Sequence, residues 1–201
     1  MPGTFEPLPG GGAAVALDEV EISIIRSLAL QLLELIGPGP AEDADADPLA
    51  ELFSEGPSEP PSDPVLRRLF PDAYTDPERT PDSAVDAEER KAYSAEFRRY
   101  TENDLRAGKR DNALAVIRTL DALAPGEDGG AVLQLSPDQS RQWLGALNDL
   151  RLAIAARLEI TDEDDTDLLY RLPDEDPRKP MVMAYLWLGG LQETLVTTLM
   201  P

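Results

Sequence analysis

The sequence predicts a mainly α-helical protein: a helical bundle of about four long helices, two short helical anchors and a minor antiparallel β element of two or three strands. Three observations support this fold class. Apolar residues recur at helical spacing over most of the chain, several helix starts carry N-cap patterns, and two short β-prone runs each follow a pair of glycines. Hydrophobic residues make up 42% of the chain, enough for one buried core, so residues 1–201 are expected to form a single domain.

The N-terminal part is predicted to begin with a strand and to continue into a buried helix. Residues 10–12 are glycines that permit a turn, and residues 14–17 follow as a short strand. Asp18 begins the helix, and Glu21, three residues later, completes the pattern of a capping box. Apolar side chains occupy more than one face up to residue 36, which is typical of a central helix.

Residues 37–82 are the least globular part of the sequence. Residues 37–63 are acidic and rich in proline, as are residues 161–175 to a lesser degree, and both segments are expected to be flexible loops within the domain. Two runs at 48–53 and 64–70 each place Asp and then Pro at a helix start, followed by apolar residues. These runs are the two expected short anchors.

A long helical tract is predicted from Asp86 to Leu123. Its two apolar stripes are out of phase, the first formed by Tyr93, Phe97 and Tyr100 and the second by Ala113, Val116, Ile117 and Leu120. Gly108 lies between the stripes, so a kink or break is expected near residues 106–110. Residues 88–111 are relatively basic for this chain, which favours pairing with the acidic loops or a salt-bridged solvent face.

The C-terminal half repeats the order of strand and capped helix. Residues 129–135 are predicted to form a strand, and Ser136 with Gln139 is predicted to start a helix that ends near Leu158. The main apolar face of this helix carries Trp143, Leu147, Leu150 and Ile154. A final helix is expected over residues 176–200.

A weak internal repeat relates residues 11–36 to residues 129–154 at an offset of 118. Equivalent positions include Gly11-Gly12 and Gly129-Gly130, Val15 and Leu133, and Asp18 and Ser136. The simplest structural consequence is that the two strands pair and their helices pack side by side. Ancestral duplication and the stereotyped chemistry of strand-to-helix junctions both explain the pattern at this stage.

The charge balance restricts the classes of partner. The formal net charge is −21, which opposes binding to nucleic acid and to acidic membrane surfaces. The start of the sequence lacks the features of a secretory signal, and the longest apolar stretch, residues 181–191, is too short to span a bilayer. A cytoplasmic protein that binds neither nucleic acid nor membrane is therefore expected, and self-association into a homo-oligomer stays open.

The chain contains no Cys and no His, which removes thiolate nucleophiles, imidazole bases and the softer metal ligands. The acidic clusters at 42–47 and 161–167 do not have the spacing of a calcium-binding loop. No metal or other cofactor is expected. Carboxylates are then the only plentiful ionisable groups for catalysis, and nothing singles out a pair of them.

The most specific polar feature lies in the last two long helices. Five residues form the candidate site: Asn148, Asp149, Arg151, Gln192 and Glu193. Polar side chains among apolar ones either join a buried network or form a partner-binding surface, with catalysis as the third alternative.

Four stretches resemble segments of a known family. Residues 143–158 (WLGALNDLRLAIAARL) are similar to its most distinctive segment and residues 185–195 (YLWLGGLQETL) to its C-terminal segment. Residues 69–74 (LFPDAY) and 97–106 (FRRYTENDLR) resemble its middle. The family is an uncharacterised actinobacterial domain of unknown function. The similarity extends over essentially the whole chain except the Pro-rich insert around residues 54–63.

The resemblance implies little about chemistry, because the family has no established catalytic residues to transfer. The five candidate residues match its polar motif positions. Members are often encoded beside the adaptor of the Clp protease, which implies a link to proteostasis.

Three function classes follow. The favoured hypothesis is a non-enzymatic acidic helical protein-interaction module, an adaptor or regulator with a protein partner. The first alternative is a carboxylate-based enzyme or small-ligand-binding protein that uses Asp149 and Glu193. The second is an acidic decoy for a nucleic-acid-binding protein, recognisable by binding that collapses with salt.

Overall fold

The computed structural model describes residues 3–38, 55–74, 84–124, 126 and 129–200. Within them the chain forms three strands and six helices. In chain order these are β1 (Glu6–Pro7), β2 (Ala13–Leu17), α1 (Glu19–Ile36), α2 (Pro64–Leu69), α3 (Ala84–Asp121), β3 (Ala131–Leu135), α4 (Pro137–Arg157), α5 (Glu163–Tyr170) and α6 (Lys179–Leu199). The mainly α-helical class with a minor antiparallel sheet is confirmed. The anchor expected at 64–70 is α2, whereas the one expected at 48–53 lies outside the described residues.

The four long helices pack in the order α1, α3, α4, α6, and α2 rests on α4. The expected capping boxes are present at the first turns of α1 and α4. The indole of Trp143 is fully buried at the centre of the core, and its Nε1 donates a hydrogen bond to Oγ1 of Thr119 at 2.9 Å. That bond satisfies the polar atom of the largest buried side chain and ties α4 to α3.

The sheet is antiparallel with the order β1, β2, β3, and its central pairing follows the internal repeat. Val15 lies opposite Leu133, the residue equivalent to it at the offset of 118, and Ala13 and Leu17 lie opposite Leu135 and Ala131. The expected pairing of the two strands is confirmed. Because equivalent residues face each other, the two strands are related by a local two-fold axis at the Val15–Leu133 pair.

The glycines of the repeat make close contacts that obey the same symmetry. A Cβ atom added to Gly12 would lie 2.2 Å from the carbonyl oxygen of Leu135, and one added to Gly130 would lie 3.1 Å from that of Leu17. The first glycine of each pair, Gly11 or Gly129, likewise lies against the first turn of the helix that follows the other strand. Each glycine pair therefore leaves room for the junction between the other strand and its helix.

Cationic side chains of α3 bind the carboxyl ends of α1 and α2. Arg106 donates to the carbonyl oxygen of Ile36 at 2.9 Å, and Arg110 donates to that of Gly37. Arg98 donates to the carbonyl oxygen of Phe70 at 3.0 Å. The last turn of α1 has no basic residue of its own, so α3 supplies the positive charge that a helix carboxyl end favours.

Glu102 neutralises two of these cations in the core. Its side chain is almost completely buried, it accepts from Arg98, and it accepts from two nitrogens of Arg106 at 2.8 and 2.9 Å. Asp72, in the segment that follows α2, forms an ion pair with Arg98 at 2.8 Å. Arg99 pairs with Glu55 of the acidic loop at 3.3 Å, as one alternative held, but the buried cations of α3 mainly bind the ends of other helices.

Of the kink or break expected near Gly108, the break is wrong. The helix α3 continues through this position for 38 residues in all. Gly108 faces open space, where a Cβ would meet nothing within 4 Å, and the turn around it carries side chains bonded to α1 and α4. Tertiary contacts on both sides of the glycine offset its weak helix propensity.

The expectation that residues 161–175 form a loop is also wrong in part, because the segment contains α5. Asp162 accepts a hydrogen bond from the amide of Asp165, and Asp165 accepts in return from the amide of Asp162. Carboxylates in a first helical turn interact favourably with the helix dipole, so this acidic run can start a helix. Of the loop expected at 37–63, residues 39–54 lie outside the described part.

In the described part of the chain, no helix combines the length and the apolar character needed to cross a membrane.

The contact of Gly12 with β3 predicts a specific stability defect. Gly12 has φ +89° and a Cβ there would overlap Leu135, whereas Gly10 has a similar φ of +90° with nothing within 4 Å. Gly10→Ala should cost about 1–2 kcal/mol from backbone strain alone, and Gly12→Ala about 1–3 kcal/mol more from the overlap. Urea unfolding of the two variants measures the difference. Equal stabilities would contradict the close packing of Gly12 against β3.

Candidate functional site

Three of the five predicted residues come together between α4 and α6. Arg151 donates through Nη1 to Oε1 of Gln192 at 2.7 Å, and Gln192 donates through Nε2 to Oδ1 of Asn148 at a long 3.5 Å. Glu193 is the next residue on α6, and its side chain is exposed. We call these four residues the polar surface. They lie at the outer edge of the α4–α6 contact rather than in the core.

Tyr185 on α6 holds the guanidinium group of Arg151 in place, and Gly189 leaves room for it. It stacks over the ring of Tyr185, with its central carbon 4.9 Å from the ring centroid. On the neighbouring turn, a Cβ on Gly189 would lie 3.4 Å from Nε of Arg151, so the glycine leaves room for the side chain. The glycine at this position is therefore explained by a side chain that lies across the helix.

Asp149 points away from the polar surface. Its side chain is 3% exposed and forms an ion pair with Nζ of Lys109 on α3 at 2.6 Å. Burial raises the pKa of the Asp149 carboxyl group, and the hydrogen bond and charge of Lys109 only partly oppose this. The free-energy cost of removing the carboxylate from water is thus only partly offset by the ion pair with Lys109. The pair links α4 to α3.

Two concave regions flank Arg151. The larger, of about 630 Å³, lies along α6 and is lined by Gly189, Gln192 and Glu193 among others. We call it the Glu193 groove. The smaller, of about 250 Å³, is lined by residues of α2, α4, α5 and α6, including Arg68 and Asn148. We call it the Arg68 pocket.

The arrangement offers hydrogen-bond donors and acceptors for binding, but it does not assemble the suspected catalytic carboxylates. Glu193 lines the Glu193 groove, whereas Asp149 lines neither region. Within the described ranges, no group of three or more acidic residues is placed to hold a metal ion.

A second surface was not recognised from the sequence. Tyr74, Tyr93, Phe97 and Tyr100 are 63%, 60%, 45% and 60% exposed, and we call them the aromatic surface. The ring of Tyr74 contacts those of Tyr93 and Phe97 edge to face, with centroids 6.4 and 6.1 Å apart. Tyr74 has φ 61°, an uncommon backbone conformation for a residue other than glycine.

From the sequence alone, Tyr93, Phe97 and Tyr100 indicate only an apolar helix face. The buried face of this part of α3 is instead polar and consists of Ser94, Arg98 and Glu102. The signal that could have revealed it is the series Arg98, Glu102, Arg106, whose spacing of four places opposite charges on one face.

Residues 3–199 match the family described as Domain of unknown function (DUF2017), so the chain belongs to this family. The resemblance noted from the sequence is confirmed in that respect. No solved structure matches the chain.

The curated relatives include mycobacterial proteins. Those named "Oxidative stress regulator AosR" in Mycobacterium tuberculosis and Mycobacterium bovis are 34% identical over 118 residues, covering 59% of this chain and 49% of theirs. One named "Putative oxidative stress regulator AosR" in Mycobacterium leprae is 34% identical over 125 residues, covering 62% and 52%. The chain spans about half the length of the curated relatives that it matches.

The raised pKa of Asp149 predicts how pH changes its contribution to stability. A carboxyl group whose folded-state pKa lies above the unfolded value stabilises the fold most when protonated, and the contribution is lost as the pH rises through the folded-state pKa. Lowering the pH from about 7 to about 4 should therefore stabilise the wild-type protein relative to Asp149→Asn, which cannot titrate. Urea unfolding of both proteins at each pH tests this.

Asp121 is the matched control. Its exposed carboxylate accepts a hydrogen bond from Arg26 at 2.6 Å, and this bond lowers its pKa. The wild-type protein should therefore lose stability relative to Asp121→Asn as the pH falls further, below about 4, through the folded-state pKa of Asp121. A change of the same sign for both variants would contradict the assigned burial of Asp149.

Proposed function

We propose that this DUF2017 member is a non-enzymatic, acidic helical regulator that acts by binding another protein through its aromatic surface. The observation that carries the proposal is the exposure of four neighbouring aromatic rings, between 45% and 63%, on one side of the molecule. Aromatic side chains are enriched in protein interfaces, and exposed apolar clusters mark sites of association.

The chemistry of the chain supports a binding role over catalysis. Without Cys or His, covalent and acid–base chemistry would rest mainly on carboxylates. Asp149 and Glu193 are the pair suspected from the sequence, but Asp149 is ion-paired in the interior and Glu193 is exposed along α6. They do not share a site in which one could act as acid and the other as base.

The regulatory part of the proposal comes from the relatives, which are named as oxidative stress regulators. The 201 residues contain no thiol. A related role in this chain would therefore be exerted through binding and not through thiol–disulfide exchange within these residues. An adaptor role in proteostasis is the more specific form of the same proposal.

The charge of the chain constrains the partner. A net charge of −21 favours a protein with a basic rim around an apolar contact, and it opposes self-association. Apolar contact through the rings should persist when salt is raised, whereas attraction between the net charges is screened. We assign Asn148, Arg151 and Gln192 to positioning α4 against α6, and Glu193 to a secondary contact.

An affinity capture from mycobacterial lysate at low and moderate salt tests the aromatic surface. The wild-type chain should retain a stoichiometric partner at both salt concentrations. The double variant Tyr93→Ala, Phe97→Ala should capture at least about tenfold less of that partner, because aromatic anchors that become buried in an interface dominate its binding energy. Since both rings are exposed, thermal unfolding of the variant should stay close to that of the wild type.

Tyr170→Ala is the matched control, because Tyr170 is 56% exposed on α5, outside the aromatic surface. It should capture as much partner as the wild type. A Clp component as the captured protein would support the adaptor form. Equal capture by the double variant would contradict the assigned surface, and the absence of any partner at both salt concentrations would contradict the proposed function.

A further inference from the structure

We propose that the Arg68 pocket binds the carboxylate of a small ligand that has an apolar body. The pocket lies between the end of α2, the outer face of α4 and the first turn of α5. Its volume of about 250 Å³ is below that of sites for drug-sized molecules, so it suits a body about the size of one amino acid. The inference does not depend on the aromatic surface or on the proposed protein partner.

The pocket contains a cation without a counter-ion. Within the part of the chain that the structure describes, Arg68 makes no hydrogen bond or ion pair. The neighbouring Arg67, by contrast, donates to the carbonyl oxygens of Pro61 and Ser62. The Arg68 side chain is exposed and hydrated by water, so its guanidinium group is available to pair with an anion that enters the pocket.

Further donors converge on the same region. Arg151 brings a second guanidinium group, which Tyr185 and Gln192 hold in a fixed orientation before any ligand binds. Asn148 accepts from Gln192 through its oxygen, so its amide N–H groups are free to donate. Guanidinium and amide donors together match the two oxygens of a carboxylate, and a pre-oriented site loses little entropy on binding.

The remaining walls decide between classes of anion. Leu152, Ala155 and Ile160 supply an apolar side, which suits the body of the ligand. Asp162 also lines the pocket and carries a negative charge while it caps α5. Inorganic phosphate has no apolar body to contact Leu152, Ala155 and Ile160, so a carboxylate on an apolar body fits best.

Titrations followed by NMR on the intact chain test this inference, with the side-chain amide of Asn148 as the reporter. The probes are N-acetyl-leucine, its uncharged amide N-acetyl-leucinamide, inorganic phosphate and a tripeptide that ends in leucine with a free carboxylate. N-acetyl-leucine should cause a saturable shift, and the amide should bind at least about tenfold more weakly because it lacks the charge.

Arg68→Gln and Arg67→Gln form a matched pair of variants on one exposed turn. Arg68→Gln should weaken binding of N-acetyl-leucine at least about tenfold, and Arg67→Gln should leave it unchanged. If the tripeptide binds more tightly, the inference is supported and the natural ligand is the carboxyl end of a peptide. If N-acetyl-leucine binds more tightly, the inference is supported and the natural ligand is a small metabolite. Equal binding of the acid and its amide, preference for phosphate, equal effects of the two variants, or no saturable shift would each overturn it.

Discussion

The fold depends on one carboxylate, that of Glu102, which is buried between the guanidinium groups of Arg98 and Arg106. A buried charge of either sign would be costly alone, and in this cluster the carboxylate and the two guanidinium groups offset each other. The arginines still donate hydrogen bonds to the carboxyl ends of α1 and α2. The cluster thereby holds α2 beside α3 and α4. The Arg68 pocket includes Arg68 of α2, and the aromatic surface includes Tyr74 from the segment that follows α2, so the geometry of both depends on the same contacts.

Features set by local chemistry could be predicted from the sequence, and features set by tertiary contacts could not. The capping residues Asp18 and Ser136 were identified correctly because a helix N-terminus is satisfied within four residues. Three features of α3 depend instead on α1 and α2, which lie far away in sequence. They are the continuous helix through Gly108, the polar buried face around Arg98 and the exposure of Tyr93. Local periodicity contains no information about those partners.

The candidate site shows the same division. The sequence identified five polar residues, and the structure brings Asn148, Arg151 and Gln192 together but places Asp149 against Lys109 instead. Successive residues of a helix point about 100° apart, so neighbours in a motif need not share a surface. Arg68 could not be linked to this motif from the sequence, because its approach depends on how α2 packs on α4.

Hydrogen–deuterium exchange in Glu102→Gln tests the central role of the buried carboxylate most directly, with Glu96→Gln as the control for an exposed acid on the same helix. Loss of the charge leaves Arg98 and Arg106 with a neutral partner, which should cost about 3 kcal/mol. The α2 amides should exchange much faster in Glu102→Gln than in the wild type, and Glu96→Gln should exchange at the wild-type rate. Unchanged protection of α2 in Glu102→Gln would contradict the central role of this carboxylate.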